Sequence, residues 1–337
     1  MGLFDIDTPT NATVGYKNMK AAEEGSPTHA IREAAEAMYP GYEPYADSDF
    51  RESFAQNDDS AFWEMYLAQT LLDGRKKLRK REELPKEQRN TGPDICIRKG
   101  NRNIWIEAIT PERGDEEPGK PNPDRVAELK PGENVHDDDA RRQIEVRIRG
   151  ALREKEKKFA EYREKGLIGE KDSCIVAICG GNFPLEAAGD SLSHAVSAVY
   201  PFGKEQWALD EKTGQLKRTY TFSNEIELKK LNKDGTAKNN PKRAAFLGDE
   251  HKNIAGIVWS TRSLGNFLGQ PHDLGYVHNH GAERPIPRKW FAWANEFAPD
   301  AKGTQLKRRQ NRERKRAAKR DRSMLKAAKK RAATRRT

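Results

Sequence analysis

The sequence predicts an α/β domain with a mixed central β-sheet flanked by helices, followed by a basic C-terminal tail. Three observations support this prediction: two β-rich runs joined by a turn, a long amphipathic helix, and a continuous apolar run of strand length. Their order along the chain (helix, hairpin, helix, buried strand) is typical of α/β domains with a mixed sheet. We therefore divide the chain into an N-terminal arm (1–45), an α/β body (46–300) and a tail (301–337).

The length and composition exclude several classes of protein. With 337 residues, of which 35% are hydrophobic and 34% charged, the chain can form a sizeable core and is neither fibrous nor fully disordered. No run approaches about 18 consecutive apolar residues, so no membrane partner is expected. The first residues lack the pattern of a secretory signal. The three cysteines have neither the number nor the spacing of a disulfide framework or a zinc site, which favours a cytoplasmic location, at the nucleoid if the host is a bacterium.

The first clear helix follows a polar arm. Residues 1–45 are rich in Gly, Pro, Asn, Thr and Ser, with one helix-like patch over 30–37, which predicts an arm with little order of its own. Ala61–Leu72 then predicts a helix that ends at Gly74. One face of this helix is apolar and carries Trp63, Leu67 and Leu71.

The strongest strand signal is a hairpin. Asp94–Arg98 and Asn103–Ile109 are rich in β-forming residues, and Lys99–Arg102 between them has the composition of a turn. If the turn centres on Gly100 and Asn101, cross-strand partners have residue numbers that sum to 201. The first residue of the first strand, Asp94, then faces the fifth residue of the second strand, Glu107.

The elements after the hairpin complete the α/β pattern. A loop rich in Pro, Gly and Asp covers 111–139, and a long helix is expected over 139–165. Ser173–Cys179 is a continuous apolar run, as in a strand buried on both faces. Two further strands are predicted over 254–260 and 274–278.

The paired acids Asp94 and Glu107 indicate a site for a cation. Two carboxylates directly opposite each other repel, and a hard divalent cation bound by oxygen ligands relieves that repulsion. A pair that shares one proton is the alternative. A register shifted by one residue, or a solvated position at the end of the sheet, would leave the pair without a function. A functional pair is favoured because Glu107 interrupts an apolar run from Ile104 to Ile109.

These residues resemble the PD-(D/E)XK nuclease superfamily, which has the restriction-endonuclease-like fold. Pro93 and Asp94, a short hairpin and then Glu107 match the spacing of its acidic pair, and the preceding helix offers Glu64 where many members carry a third acid. The resemblance covers about residues 48–180 and implies a nuclease that uses Mg²⁺ or Mn²⁺. It also implies that Asp94, Glu107 and the backbone carbonyl of Ala108 hold the metal, with Glu64 as a ligand through water or a residue that orients one.

One position departs from the family pattern. The family's lysine two residues after the second acid is replaced here by Ile109. The long helix offers a substitute, because Lys155 is the one charged residue on its apolar stripe. The stripe consists of Ile144, Ile148, Leu152, Phe159 and Tyr162. Lys155 is thus a candidate catalytic lysine, with Lys99 less favoured, although a lysine that buries its stem and hydrates its amine explains the pattern equally well.

The tail differs in charge from the rest of the chain. Residues 307–337 contain sixteen Lys and Arg and two acids, whereas the preceding residues carry a net charge of −4. Such a segment can neutralise many phosphates, and its lack of aromatics favours contact with the backbone over base stacking. We expect it to be helical or disordered. The expected contacts are Lys307, Arg308, Arg309, Arg312, Arg314, Lys315, Arg316, Lys319 and Arg320. A solubilising tail or a localisation signal is the alternative.

The acidic pair and the tail together favour a metal-dependent nuclease that acts on DNA and forms a homodimer if it cuts both strands. The alternative is a catalytically inactive protein that keeps the fold and binds DNA, or that binds RNA or the ribosome. The two readings differ in one geometric point, which is whether Lys155 reaches Asp94 and Glu107.

Overall fold

A computed structural model describes residues 2–111, 138–181, 193–209, 213–223, 225–226, 242–269, 273–291, 294–300 and 306–309. The α-helices in these ranges are α1 (Val14–Lys20), α2 (Pro27–Tyr42), α3 (Phe50–Gln56), α4 (Asp58–Asp73), α5 (Lys86–Arg89), α6 (Asp138–Glu164) and α7 (His194–Val199). The strands are β1 (Ile95–Lys99), β2 (Arg102–Ile109), β3 (Ser173–Cys179), β4 (Phe202–Leu209), β5 (Leu216–Phe222), β6 (Ile254–Ser260), β7 (Gly275–His278), β8 (Asn295–Pro299) and β9 (Leu306–Arg309). None of the described helices is long and apolar enough to cross a membrane.

The central sheet is mixed and has seven strands in the order β1-β2-β3-β6-β7-β8-β9. β2, β3 and β6 run parallel to one another, and β1 joins β2 as an antiparallel edge strand. β7 is antiparallel to β6 and parallel to β8, while β4 and β5 form a separate two-stranded sheet. The predicted α/β class with a mixed central sheet is confirmed.

The predicted hairpin register is also confirmed. Cys96 pairs with Trp105 and Arg98 pairs with Asn103, so that partner numbers sum to 201 along the whole ladder. Asp94 immediately precedes the first ladder pair, Ile95 with Ile106. The alternative of a register shifted by one residue is therefore wrong.

Helices cover both faces of the sheet because strand residues alternate between the faces. On one face, Ile95, Ile97 and Ile104 pack against α4 and the N-terminal helices. On the other, Trp105 and Val176 pack against the apolar stripe of α6. β3 is fully buried along its length, as its unbroken apolar sequence predicts.

The N-terminal 45 residues differ from the prediction of an arm with little order. They form α1 and α2, which pack against α3 and α4. Their aromatic residues provide the cohesion, since Phe4, Tyr16 and Tyr42 are buried in the same core as α4. Ser26 caps α2 by accepting a hydrogen bond from the backbone N–H of His29. The many turn-forming residues of this segment separate short helices.

The tail prediction also needs a correction at its start. Leu306–Arg309 is neither helical nor disordered but forms strand β9, which pairs antiparallel with β8. Lys307, Arg308 and Arg309 therefore belong to the sheet, which extends beyond the predicted boundary at residue 300. The other predicted phosphate contacts, from Arg312 to Arg320, lie outside the described residues, as does most of the predicted loop 111–139.

Trp63 of α4 connects the helical layer to the central sheet. Its side chain is fully buried, and its indole Nε1 donates a hydrogen bond to the carbonyl oxygen of Ala177 in β3 at 3.1 Å.

We expect Trp63→Phe to lower the free energy of unfolding by about 1–3 kcal/mol, because it removes this bond and leaves a cavity. Urea denaturation measures the change. Trp207→Phe, at a position 61% exposed, is the matched control and should cost less. An equal cost for both would contradict this role of Trp63.

Candidate active site

The predicted acidic pair lies at the open end of the β1–β2 hairpin. Asp94 precedes β1 and is half-buried, while Glu107 in β2 is fully buried. Asp94 Oδ2 accepts a hydrogen bond from the backbone N–H of Ala108 at 2.6 Å. Among the described residues, no donor contacts Asp94 Oδ1, so this oxygen is available to a ligand.

Helix α6 brings three hydrogen-bond donors to Glu107. The ammonium groups of Lys155 and Lys158 lie 2.9 and 3.1 Å from Glu107 Oε2. The hydroxyl of Tyr162 donates to Oε1 at 3.0 Å. Lys155 is buried, so it does not extend its amine to solvent as a lysine at the edge of an apolar stripe could do. The predicted approach of Lys155 to the acidic pair is present.

Sequence reasoning missed the site roles of Lys158 and Tyr162. Both follow Lys155 on the same face of α6, at three and seven residues' distance, which is the spacing of neighbours on one side of a helix. That spacing was the available signal. The apolar stripe by itself predicts only a packing role for Tyr162.

The like charges of the acidic pair affect its protonation. Burial and the adjacent charge of Glu107 raise the pKa of Asp94 to about 7, although Lys155 and the Ala108 N–H lower it. Burial lowers the pKa of Lys158, but the charges of Glu107, Tyr162 and Asp94 and the hydrogen bond to Glu107 together outweigh this effect, so the net shift is upward.

Glu64 from α4 approaches the same cluster. It accepts a hydrogen bond from the hydroxyl of Tyr42, and its pKa is raised well above its usual range by burial and by the charge of Asp94. Asp47 is close enough to the cluster for the charges of Glu107 and Lys158 to affect its pKa, which burial raises. The third acid expected from the resemblance is thus electrostatically coupled to Asp94.

Arg81 fixes the chain at the entrance to β1, a role that nothing in its basic sequence context indicated. Its buried guanidinium donates to the carbonyls of Tyr45, Pro93 and Asp94 at 2.9, 3.2 and 2.8 Å. It also pairs with Asp47 at 3.0 Å. Because the backbone on both sides of the Pro93–Asp94 bond is held, Asp94 has a defined position beside Glu107.

Two other sequence candidates lie elsewhere. Lys99 is at the opposite end of β1, where its ammonium is 5.6 Å from the centroid of the Trp290 ring. It therefore cannot take the place of the missing lysine. Within the described part of the chain, no three His, Cys, Asp or Glu side chains are grouped closely enough to hold a metal ion. Among the described residues, Asp94 and Glu107 are the two carboxylates that this site offers to a metal.

Comparisons of the chain with protein-family models, with curated proteins and with solved structures found no match. The chemistry of the site must therefore be interpreted from its own residues. They comprise two adjacent carboxylates, two lysines and a tyrosine on one helix, and a third acid coupled to the first.

The buried charge of Glu107 gives the first prediction for this site. Glu107→Gln leaves the buried ammonium of Lys155 without its counter-charge, and we expect it to destabilise the fold by about 3–5 kcal/mol. Lys155→Met should cost less, because Lys158 and Tyr162 still contact Glu107. In urea denaturation, the double variant should lose less than the sum of the single losses. Strict additivity would show that the two groups do not interact.

The raised pKa of Asp94 gives a second prediction. A carboxyl whose pKa is raised from 3.8 to about 7 on folding favours the folded state in its protonated form. This contribution is present at acidic pH and is lost as pH rises from about 4 to about 7. Asp94→Asn removes the titration but keeps an acceptor for the Ala108 N–H, so the variant should gain stability relative to wild type as pH rises. Thermal denaturation from pH 4 to pH 8 measures this, and a difference independent of pH would contradict it.

Proposed function

We propose that this chain is a metal-dependent nuclease of the restriction-endonuclease-like fold that hydrolyses phosphodiester bonds in DNA. The observation that carries the proposal is the 2.9 Å contact between the Lys155 ammonium and Glu107 Oε2. It supplies from α6 the lysine that β2 lacks at Ile109. The mixed sheet with helices on both faces is compatible with this fold.

The donor set fits Mg²⁺ or Mn²⁺. Mg²⁺ commonly uses one or two carboxylates and completes its shell with water and substrate phosphate. Asp94, through its available oxygen, and Glu107 would hold the metal, with the carbonyl of Ala108 as a further oxygen and Glu64 acting through water. When bound, the metal would lower the pKa of a water molecule and neutralise charge on the scissile phosphate.

The side chains of α6 would carry out the rest of the chemistry. Lys155 and Lys158 hold two positive charges beside the acidic pair, where negative charge develops as a phosphodiester is attacked. Lys155 would orient the attacking water, and Lys158, which is half-exposed, would contact the phosphate oxygens. Tyr162 keeps Glu107 oriented through its Oε1.

The sequence beyond the body supports a polyanionic substrate. The basic residues from Lys307 onward would raise the local affinity for DNA by neutralising backbone phosphates. Two copies acting together would cut both strands. The three cysteines are free and buried, which agrees with the proposed cytoplasmic location.

The alternative is a catalytically inactive nucleic-acid-binding protein, of DNA or of RNA and the ribosome, on the same fold. A specific observation favours it, because both oxygens of Glu107 already accept hydrogen bonds from α6. In that case the cluster serves to stabilise the packing of α6 on the sheet, and the lysines take the place of the metal.

Cleavage of supercoiled plasmid DNA distinguishes the two functions. Purified full-length protein should nick the plasmid with Mg²⁺ or Mn²⁺ and not with EDTA. Asp94→Asn and Lys155→Met should each reduce the rate by at least about a hundredfold, because they remove a metal ligand and a transition-state charge. Lys157→Met, at an exposed position on the same helix, is the matched control and should cleave like wild type.

Two other outcomes would contradict a nuclease at this site. Salt-sensitive DNA binding without cleavage in any metal would support the inactive binding protein. Cleavage that Asp94→Asn leaves unchanged would mean that the nuclease activity does not arise at this site.

A further inference from the structure

The turn end of the β1–β2 hairpin carries a second pair of like charges. Lys99 and Arg102 are direct cross-strand partners, so their side chains leave the sheet on the same face. Opposed like charges destabilise a hairpin unless a counter-charge lies between them. Within the described part of the chain, neither cation has a hydrogen-bond or ion-pair partner.

A third cation and an indole ring complete the cluster. The Lys76 ammonium lies 3.9 Å from the centroid of Trp290 and donates to the Trp290 carbonyl oxygen at 2.5 Å. The Lys99 ammonium lies 5.6 Å from the same ring. The cluster of Lys76, Lys99 and Arg102 around Trp290 is named here the turn cluster.

One acid, Glu296, acts on the charge of Lys76. Glu296 raises the pKa of Lys76, but burial outweighs it and the net shift is downward. Glu296 is itself buried, and its Oε2 accepts a hydrogen bond from the backbone N–H of Lys289 at 2.9 Å. Burial lowers the pKa of Lys99, and the charges of Arg102 and Lys76 lower it further, so the cations of the cluster repel one another.

We propose that the turn cluster is a phosphate-binding site that holds the backbone of a nucleic acid. The Lys76 and Arg102 side chains are half-exposed, whereas the Lys99 ammonium is buried. Lysine stems are flexible enough to move their amines from the indole to a phosphate. A bound phosphate would supply the missing counter-charge.

The surroundings of the turn cluster favour a polymeric phosphate. Arg75 is exposed beside it, and the backbone N–H of Arg98 bonds to the carbonyl oxygen of Lys77 at 2.9 Å. The side chains of Lys77 and Arg98 are exposed on the opposite face of the same edge, because strand residues alternate. The basic stretch after α4 thus lies along the edge strand β1, which offers a row of cations and not a single pocket.

The inference rests on the proposed function for its ligand, and the turn cluster is separate from the acidic pair. Asp94 and Lys99 are five residues apart along the strand, which corresponds to roughly 16 Å. They also lie on opposite faces, because strand residues alternate. Binding at the turn cluster is therefore measurable in a protein that cannot cleave.

The test uses full-length protein carrying Asp94→Asn, with EDTA present, and a fluorescent DNA duplex. In this background, Lys76→Gln combined with Lys99→Gln should weaken binding about tenfold at low salt and reduce the salt slope by about 2. Lys76→Arg combined with Lys99→Arg should retain binding. Lys17→Gln, at an exposed position of α1, is the control and should change the affinity little.

A second arm uses inorganic phosphate as the probe, with chloride at equal ionic strength as its control. Phosphate should change the indole fluorescence, and the change should be lost in Trp290→Phe and in the double Gln variant. A thermal melt checks that the double Gln variant is folded, because the variant removes the Lys76 bond to the Trp290 carbonyl oxygen as well as the repulsion.

The outcomes separate this inference from the proposed function. Absence of cleavage in the wild type, with binding that still depends on Lys76 and Lys99, would overturn the nuclease and leave the phosphate site standing. A response to inorganic phosphate with unchanged DNA affinity would overturn nucleic acid as the ligand. Unchanged DNA affinity, unchanged salt slope and no response to phosphate would overturn the site itself.

Discussion

The arrangement of the site depends on one buried charge, that of Glu107. An ionised carboxylate inside an apolar sheet is costly unless charged and polar donors surround it. Here α6 supplies all three donors within two turns of helix. The contacts that hold α6 against the sheet therefore include the hydrogen bonds that stabilise the charge of Glu107. The apolar stripe of α6 sets the position of the helix, and the charge sets its rotation.

The same constraint explains why Asp94 differs from Glu107. Glu107 holds its charge because two ammonium groups contact it directly, whereas Asp94 is held by one backbone N–H and faces the charge of its neighbour. Two chemically similar side chains therefore have unlike environments. This asymmetry raises the pKa of Asp94 to about 7, so Asp94 exchanges its proton near neutral pH.

Much of this arrangement could be predicted from the sequence because it depends on periodicity. The two-residue period of the hairpin gave the opposition of Asp94 and Glu107, and the helical period of α6 placed Lys155 on the inner face. What could not be predicted depends on tertiary contacts. The arm at 1–45 has a polar composition, yet a few aromatic residues fix it to α4, and β9 is a strand only because β8 offers it an edge. Arg81 donates to carbonyls that only the folded chain brings together.

The position of β9 has a consequence for how the basic tail operates. β9 lies six strands from β1, so the tail departs roughly 29 Å from the hairpin, at the opposite edge of the sheet. The 28 residues that follow Arg309 in the sequence could extend to about 95 Å at most. On the proposed function, a tail that bound a polyanion would set an effective concentration, because a second segment of the same polyanion would meet the far edge of the sheet as an intramolecular event. The length of chain after β9, more than its affinity for any one phosphate, would then determine how far along a nucleic acid the two edges can act together.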